Sequence, residues 1–403
     1  MKPCLHIAIP AMAEADFLPS AMAALLQQES TYTYHIYICV NQPESYWESK
    51  PDICQNNQTS IAYLQSLKAD IQIVDKSSRG QGWVGKHSGV GWARKTLFDH
   101  IMRIAAPSDI ILSLDADTLV DKHYCQAVGD YFSQHPRSQA LALPYYHPLL
   151  EENNNEQANN EAINRAILRY EIYMRLYHLN MQAIASPFAF TAIGSAMAFR
   201  VDFLQKIGGI KPLPSGEDFY LLQKCCKIGQ VGHDCATIVM PATRFSERVN
   251  FGTGPALIKA CKGDVKSYPF YPPSLFESIA QAYGLIPDIF ENKPVATNDF
   301  LQFLETQFKD KQLWQPLRDN LKDLPHFRQG FHEKADGLRI LQFLKQQYAL
   351  GDLNEKDCLQ ANLQKHLQED FPYQNLQETP LAYLASLREK LFERELTVRK
   401  IQG

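Results

Sequence analysis

The sequence predicts an α/β fold, a mostly parallel sheet flanked by helices and continued by a C-terminal helical region. Three observations carry that expectation. Over the first half of the chain, short β-rich runs alternate with amphipathic helical stretches, the pattern of parallel strands joined by right-handed crossovers. One of those runs, IILSLDADTL, is a buried-strand pattern that ends on two aspartates. From about Pro272 onward, segments such as LRILQFLKQQY and LAYLASLREKLFERELTVRK keep helical periodicity and show no strand-like alternation.

Taken in chain order, strands are expected at LHIAIPA, YHIYICVN, IQIVD, DIILSLDAD and QALALPYY. Helical spacing is clearest from Phe17 to Gln28, with apolar Leu18, Met22, Leu25 and Leu26 on one face, and from Val90 to Ile104. After Pro148 the polar run EENNNEQANNEA reads as an exposed loop leading into a long helix from about Ile163 to Ala183. Mixed α/β character returns between Phe190 and Phe251, with turn signals at Gly208-Gly209 and Pro214-Ser215-Gly216. The expected division is therefore a catalytic-type α/β domain over 1–271 and a helical region over 272–403.

Composition narrows the function classes. With 403 residues the chain exceeds the usual size of one domain and can bury a substantial core. A formal net charge of -4 offers no electrostatic case for nucleic acid. Nine cysteines, an odd number without a CxxC pair, read as reduced thiols rather than a disulfide framework or a zinc site. The chain opens directly into a strand-like run, so no secretory signal is expected. The apolar stretch from Ala183 to Phe199 is broken by Ser186, Pro187, Thr191, Gly194 and Ser195 and makes a poor spanning helix. A soluble, cytoplasmic protein is expected, with peripheral membrane contact left open.

Three clusters can carry chemistry. In LDAD, Asp115 and Asp117 stand at i and i+2, so both carboxylates share a face at the end of a strand. Hard oxygens there suit Mg²⁺ or Mn²⁺ bound jointly with substrate phosphates. Roughly one such tripeptide arises by chance in a chain this long, so its placement after ILSL carries the weight. The competing reading makes Asp117 or Thr118 the N-cap of a following helix. In PLPSGEDFYLLQK, Glu217 and Asp218 stand at a helix N-terminus, where the dipole favours an ionised carboxylate; simple capping is again the alternative. In ATRFSERVNFGTGPAL, Arg244 and Arg248 precede Gly252 and Gly254, and guanidinium groups suit phosphate oxygens. The GxxxxGK[ST] and GxGxxG spacings are absent, which disfavours a P-loop NTPase and a Rossmann dehydrogenase.

From about His6 to Gly254, the order of these motifs resembles the family 2 glycosyltransferases of the GT-A fold, a Rossmann-like sheet. IAIPAMAEADFLPSAMAALLQQ resembles their opening I-P-x-x-N-E and leucine pattern, with Pro10 and Glu14 matching and Ala13 in place of Asn. Asn41 stands where the family commonly carries an acidic residue on the nucleobase. GWVGKHSGVGWARK resembles the GKxxALN stretch and places Lys86 as a donor-contacting cation, and LDAD resembles the metal motif. GED resembles the acidic catalytic motif, with Asp218 as base and Glu217 beside it for the acceptor. Arg248 loosely resembles the QxxRW element without its Gln and Trp. The resemblance implies inverting transfer of a sugar from a UDP- or GDP-sugar to a saccharide, lipid or other hydroxyl acceptor, with Mn²⁺ or Mg²⁺ on Asp115 and Asp117. Under it Pro10, Glu14, Asn41, Lys86, Asp115, Glu217 and Arg248 contact substrate. The rivals are a retaining transferase, a sugar nucleotidyltransferase and a silent nucleotide-sugar binder.

Overall fold

The computed structural model describes residues 2–85, 87–151, 157–233, 235–244, 258 and 267–402. They form two compact units. The first comprises 1–167, 191–262 and 399–403, and the second 168–190 and 263–398.

The first unit is built on a seven-stranded sheet in the order β3-β2-β1-β4-β7-β6-β8. Its strands are β1 (Leu5–Ala11), β2 (Tyr34–Asn41), β3 (Ile71–Lys76), β4 (Ile110–Ser113), β6 (Ser138–Ala142), β7 (Met197–Arg200) and β8 (Gln230–Gly232). Only β7 runs against its neighbours β4 and β6; the other pairings are parallel. The mostly parallel α/β expectation therefore holds. Connections run through α1 (Leu18–Leu26), α2 (Tyr46–Ser49), α3 (Pro51–Ser66), α4 (Val90–Ile104), α5 (Tyr124–Gln134), the start of α6 (Gln157–Ala183), α7 (Val201–Ile207) and α8 (Glu217–Ile228). Helices cover both faces, so β1 and β4 are buried at every position and read as near-continuous apolar runs, interrupted by His6 and Ser113, rather than alternating ones. Ile7, Ile38, Leu112, Phe98 and Phe199 are wholly buried at its centre.

The chain moves outward from β1 through β2 to β3 and then returns to place β4 on the other side of β1. That reversal opens a crevice beyond the carboxyl ends of β1 and β4, where ligands bind in open α/β sheets. A small antiparallel pair, β5 (Leu119–Val120) with β9 (Val239–Met240), lies just past it, with Leu119 opposite Met240. It carries the chain after residue 240 back beside the end of β4.

In the second unit the latter part of α6 joins eight further helices among the described residues, from α9 (Pro273–Gly284) to α16 (Leu381–Gln402). Four of these helices begin on a side-chain cap: Asn298, Asp323, Asp336 and Asn354 each accept the backbone N–H three residues on. An ionic group is buried within this unit, where Arg175 donates to Glu171 at 3.1 Å and to Glu395 at 2.7 Å. No helix among the described residues is long and apolar enough to cross a membrane. The eight cysteines among them are free.

Candidate active site

Everything needed for the site lies in the first unit. The two aspartates leave β4 in a turn, the Thr118 N–H donating to the Asp115 carbonyl, and the next element is β5 rather than a helix. The helix-capping alternative for Asp117 and Thr118 is thereby removed. At the second motif α8 does start at Glu217, but its N-cap is Gly216 at φ 75°, with no side-chain cap bond. Glu217 and Asp218 occupy its first turn without serving as the cap. A residue with a Cβ is strained at that φ, which accounts for the glycine ahead of the two acids.

One side chain brings the two motifs together. Arg94, on α4 and only 2% exposed, donates from Nη2 to Asp115 at 3.1 Å and from Nε to Glu217 at 3.3 Å. Its Nη1 donates to Ser113 Oγ at 2.5 Å and to the Gly194 carbonyl at 2.9 Å, so every arm of the fork is engaged. Two glycines make room for this. A Cβ on Gly194 would lie 2.4 Å from Arg94 Nη2, and one on Gly91 would lie 2.2 Å from the Leu213 carbonyl. Gly91 and Arg94 share a face of α4 at i and i+3. The helix thus packs backbone against backbone on the loop before Glu217 while its arginine reaches the carboxylates.

Burial pushes the Asp218 carboxyl upward, against the pull of Arg94 and with the added repulsion of Asp115. Burial pushes Glu217 the same way, again opposed by Arg94 and reinforced by Asp218. The dipole argument favoured fully ionised groups here; desolvation outweighs it.

A second arginine organises the other half. Arg244 sets Nε 2.8 Å and Nη2 2.6 Å from Asp117 Oδ2, and Nη2 also lies 2.6 Å from Glu14 Oε1. Its guanidinium stacks on Phe17, 4.2 Å from the ring centre. Glu14 sits in the turn after β1, which is fixed from outside: Asn57 accepts the Ala13 N–H at 2.8 Å and Asn56 the Ala15 N–H at 2.9 Å. Ala13 itself has φ 55°.

The remaining predicted residues fall in three places. Pro10 is buried within β1, opposite Cys39 of β2. Asn41 ends β2 with its amide donating to the Ala11 carbonyl at 2.9 Å, and the Trp83 indole points at its oxygen at 3.4 Å, so the side chain knits β1 to β2 and to the loop before α4. Lys86 and Arg248, with Gly252 and Gly254, lie outside the described residues. Sequence reasoning left out Arg94, although one signal for it existed: it sits on the same helical stripe as buried Leu97, Phe98 and Ile101.

Glu14, Asp115, Asp117, Glu217 and Asp218 face Arg94 and Arg244, five carboxylates against two guanidiniums. The excess of negative charge and the hard oxygens of Asp115 and Asp117 suit a divalent cation. No group of three or more His, Cys, Asp or Glu ligands is assembled among the described residues. Mg²⁺-like ions bound with substrate phosphates need only one or two carboxylates, so the pair still fits.

No protein-family model matches this chain, and no curated protein matches it by sequence. Among solved structures it is similar to residues 1–349 of S. aureus TarS in complex with UDP-GlcNAc, at 10% identity over 98% of this chain and 90% of that one, with a TM-score of 0.42. The same protein in complex with UDP gives 11% identity, 88% and 95% coverage and a TM-score of 0.42. The mannosyltransferase PcManGT from Pyrobaculum calidifontis, in complex with GDP-Man and Mn²⁺, gives 12% identity, 100% and 87% coverage and a TM-score of 0.36. Likenesses this distant assign no family.

Proposed function

We propose that this chain is a glycosyltransferase of the GT-A, family 2 type, moving a sugar from a nucleoside-diphosphate donor to an acceptor hydroxyl with inversion. The observation that carries the reading is the Arg94 bridge, which joins Asp115 at the end of β4 to Glu217 at the start of α8 across the crevice. A donor-side acid and an acceptor-side acidic pair in one site is the arrangement a single displacement needs, with leaving group and incoming hydroxyl on opposite faces of the sugar.

Asp115 and Asp117 would hold Mg²⁺ or Mn²⁺, which neutralises charge developing on the departing diphosphate. Asp218 takes the proton of the acceptor hydroxyl. Its raised affinity for a proton suits that task, because a base works best with its pKa drawn toward the operating pH. Glu217, hydrogen-bonded to Arg94, positions the acceptor. Lys86 and Arg248 keep their donor-contacting roles on the resemblance alone, and Asn41 supports the nucleobase edge through the strand end it holds together.

The test is Asp218→Asn. Transfer should fall by several orders of magnitude, as for the loss of a general base, while donor binding stays measurable. UDP-GlcNAc and GDP-Man head the donor panel, and anomeric analysis of the product reports inversion. Turnover within tenfold of the parent would remove Asp218 from the role of base.

A further inference from the structure

We infer that Arg244 is a resident counter-cation of the Asp117–Glu14 half of the site and makes divalent-metal binding depend on the donor diphosphate; this rests on the donor site proposed above. Asp117 Oδ2 receives two contacts from one guanidinium, at 2.8 and 2.6 Å, and the same Nη2 lies 2.6 Å from Glu14 Oε1. These groups are largely withdrawn from water, with Arg244 20%, Asp117 16% and Glu14 8% exposed. An ion pair so placed is held firmly, because neither partner regains full hydration by letting go without a replacement. A cation that takes Asp117 through Oδ2 must compete with Arg244 for that oxygen.

The backbone that carries the two carboxylates is held without the arginine. The Glu14 carbonyl accepts the Phe17 and Leu18 N–H groups at 3.1 and 3.0 Å, and Asp117 stands in the turn between β4 and β5 that the Thr118 N–H closes on the Asp115 carbonyl. Release of Arg244 therefore leaves the main chain of the anionic half in place. Among the described residues the anions paired with the guanidinium are Asp117 and Glu14, so its release calls for a further anion. A diphosphate supplies one, since its oxygens match the planar fork bidentately. Metal alone must displace an established ion pair, whereas metal arriving with the diphosphate exchanges one pairing for another. By linkage, each ligand then raises the affinity of the other by the same factor.

The experiment measures Mn²⁺ affinity from the free-ion EPR signal, with and without UDP or GDP, in the full-length parent, Arg244→Gln and Glu14→Gln. In the parent, nucleoside diphosphate should tighten Mn²⁺ binding roughly tenfold or more, the factor corresponding to one charged hydrogen-bond pairing. In Arg244→Gln, Mn²⁺ alone should bind roughly tenfold tighter than to the parent, with little further gain from nucleotide. Glu14→Gln, which leaves Arg244 one anchor fewer, should shift metal-alone affinity the same way by a smaller factor, and it decides the matter if Arg244→Gln does not fold. Unchanged or weaker metal-alone binding in the variants, or no Mn²⁺ binding to any form, overturns the inference. If the parent binds Mn²⁺ but no nucleoside diphosphate or nucleotide sugar, the donor-site reading fails and the coupling falls with it. Normal metal-dependent donor binding alongside unchanged Arg244→Gln affinity overturns the inference alone.

Discussion

Ala13 carries backbone strain beside the site. Its φ of 55° is the left-handed region, which costs an L-residue with a Cβ roughly 1–2 kcal/mol. The turn is nonetheless held, because Asn57 and Asn56 accept the N–H groups on either side of Glu14. Glycine adopts this region freely but loses more entropy on folding, so Ala13→Gly should stabilise by about 0.5–1 kcal/mol, a rise of roughly 1–2 °C in melting temperature. A lower melting temperature would mean the turn is not strained. At Asp218 the sign runs through protonation. Because burial raises its native pKa, the folded state binds the proton more tightly than the unfolded chain does. The stability it contributes is full below about pH 4, the ordinary carboxylate range, and is lost as pH rises through the native value. Asp218→Asn removes that loss. This variant should melt above the parent near neutral pH, with the difference shrinking toward pH 4; a variant less stable at every pH would contradict the desolvation account. Stability and activity would then trade against each other at one residue.

At the scale of elements, α4 shows how a helix can serve both core and site. Leu97, Phe98 and Ile101 bury one stripe of it, and Arg94 extends the same stripe into the crevice, bound to Ser113, Gly194, Asp115 and Glu217. Arg94→Leu would keep the volume and strand the carboxylates without their cation, a loss on the order of 3–5 kcal/mol for a broken buried pair. Arg94→Lys should recover little, because an ammonium cannot span these partners as the planar fork does. Denaturant unfolding of the two variants checks this, and a lysine variant as stable as the parent would show that charge alone suffices. The same helix marks where sequence reading stops. Val90–Ile104 was legible from period alone, as were β1 to β3, because apolar runs bounded by turn residues are local signals. The order of LDAD and GED along the chain was legible too. Arg94 was not assigned, and Arg244 was read as suited to phosphate rather than paired with Asp117 and Glu14, since the partners of the two lie 19 to 230 positions away and pairing over such separations leaves no periodic trace. The short strands β5, β8 and β9, two or three residues each, also escape any window-based pattern. Yet β9, paired with β5, is what returns the chain toward Asp117 and so delivers Arg244.

At the scale of the whole molecule, the chain end belongs to the first unit. Residues 399–403 group with the sheet, although the rest of α16 belongs to the helical unit. The reason is Arg399, fully buried, whose Nη1 donates to the Ala142 carbonyl at 3.0 Å and to the His233 carbonyl at 2.8 Å. Ala142 ends β6, and His233 directly follows β8, two adjacent strands. One C-terminal side chain thus satisfies carbonyls at the carboxyl edge of the sheet, where a parallel arrangement leaves acceptors without strand partners. A sequence window over LTVRK shows only a basic helix end, so this anchoring was invisible before the fold was known. Removing it leaves two buried acceptors without this donor, at about 1–3 kcal/mol each. Arg399→Ala should therefore lower stability by roughly 2–6 kcal/mol in denaturant unfolding, and deletion of 399–403 should do the same. Were the helical tail only an appendage, both variants would unfold at the parental midpoint. A loss confined to Arg399→Ala and the deletion, with surface Lys400→Ala unaffected, would identify the terminal arginine as a structural part of the sheet edge that the site is built on.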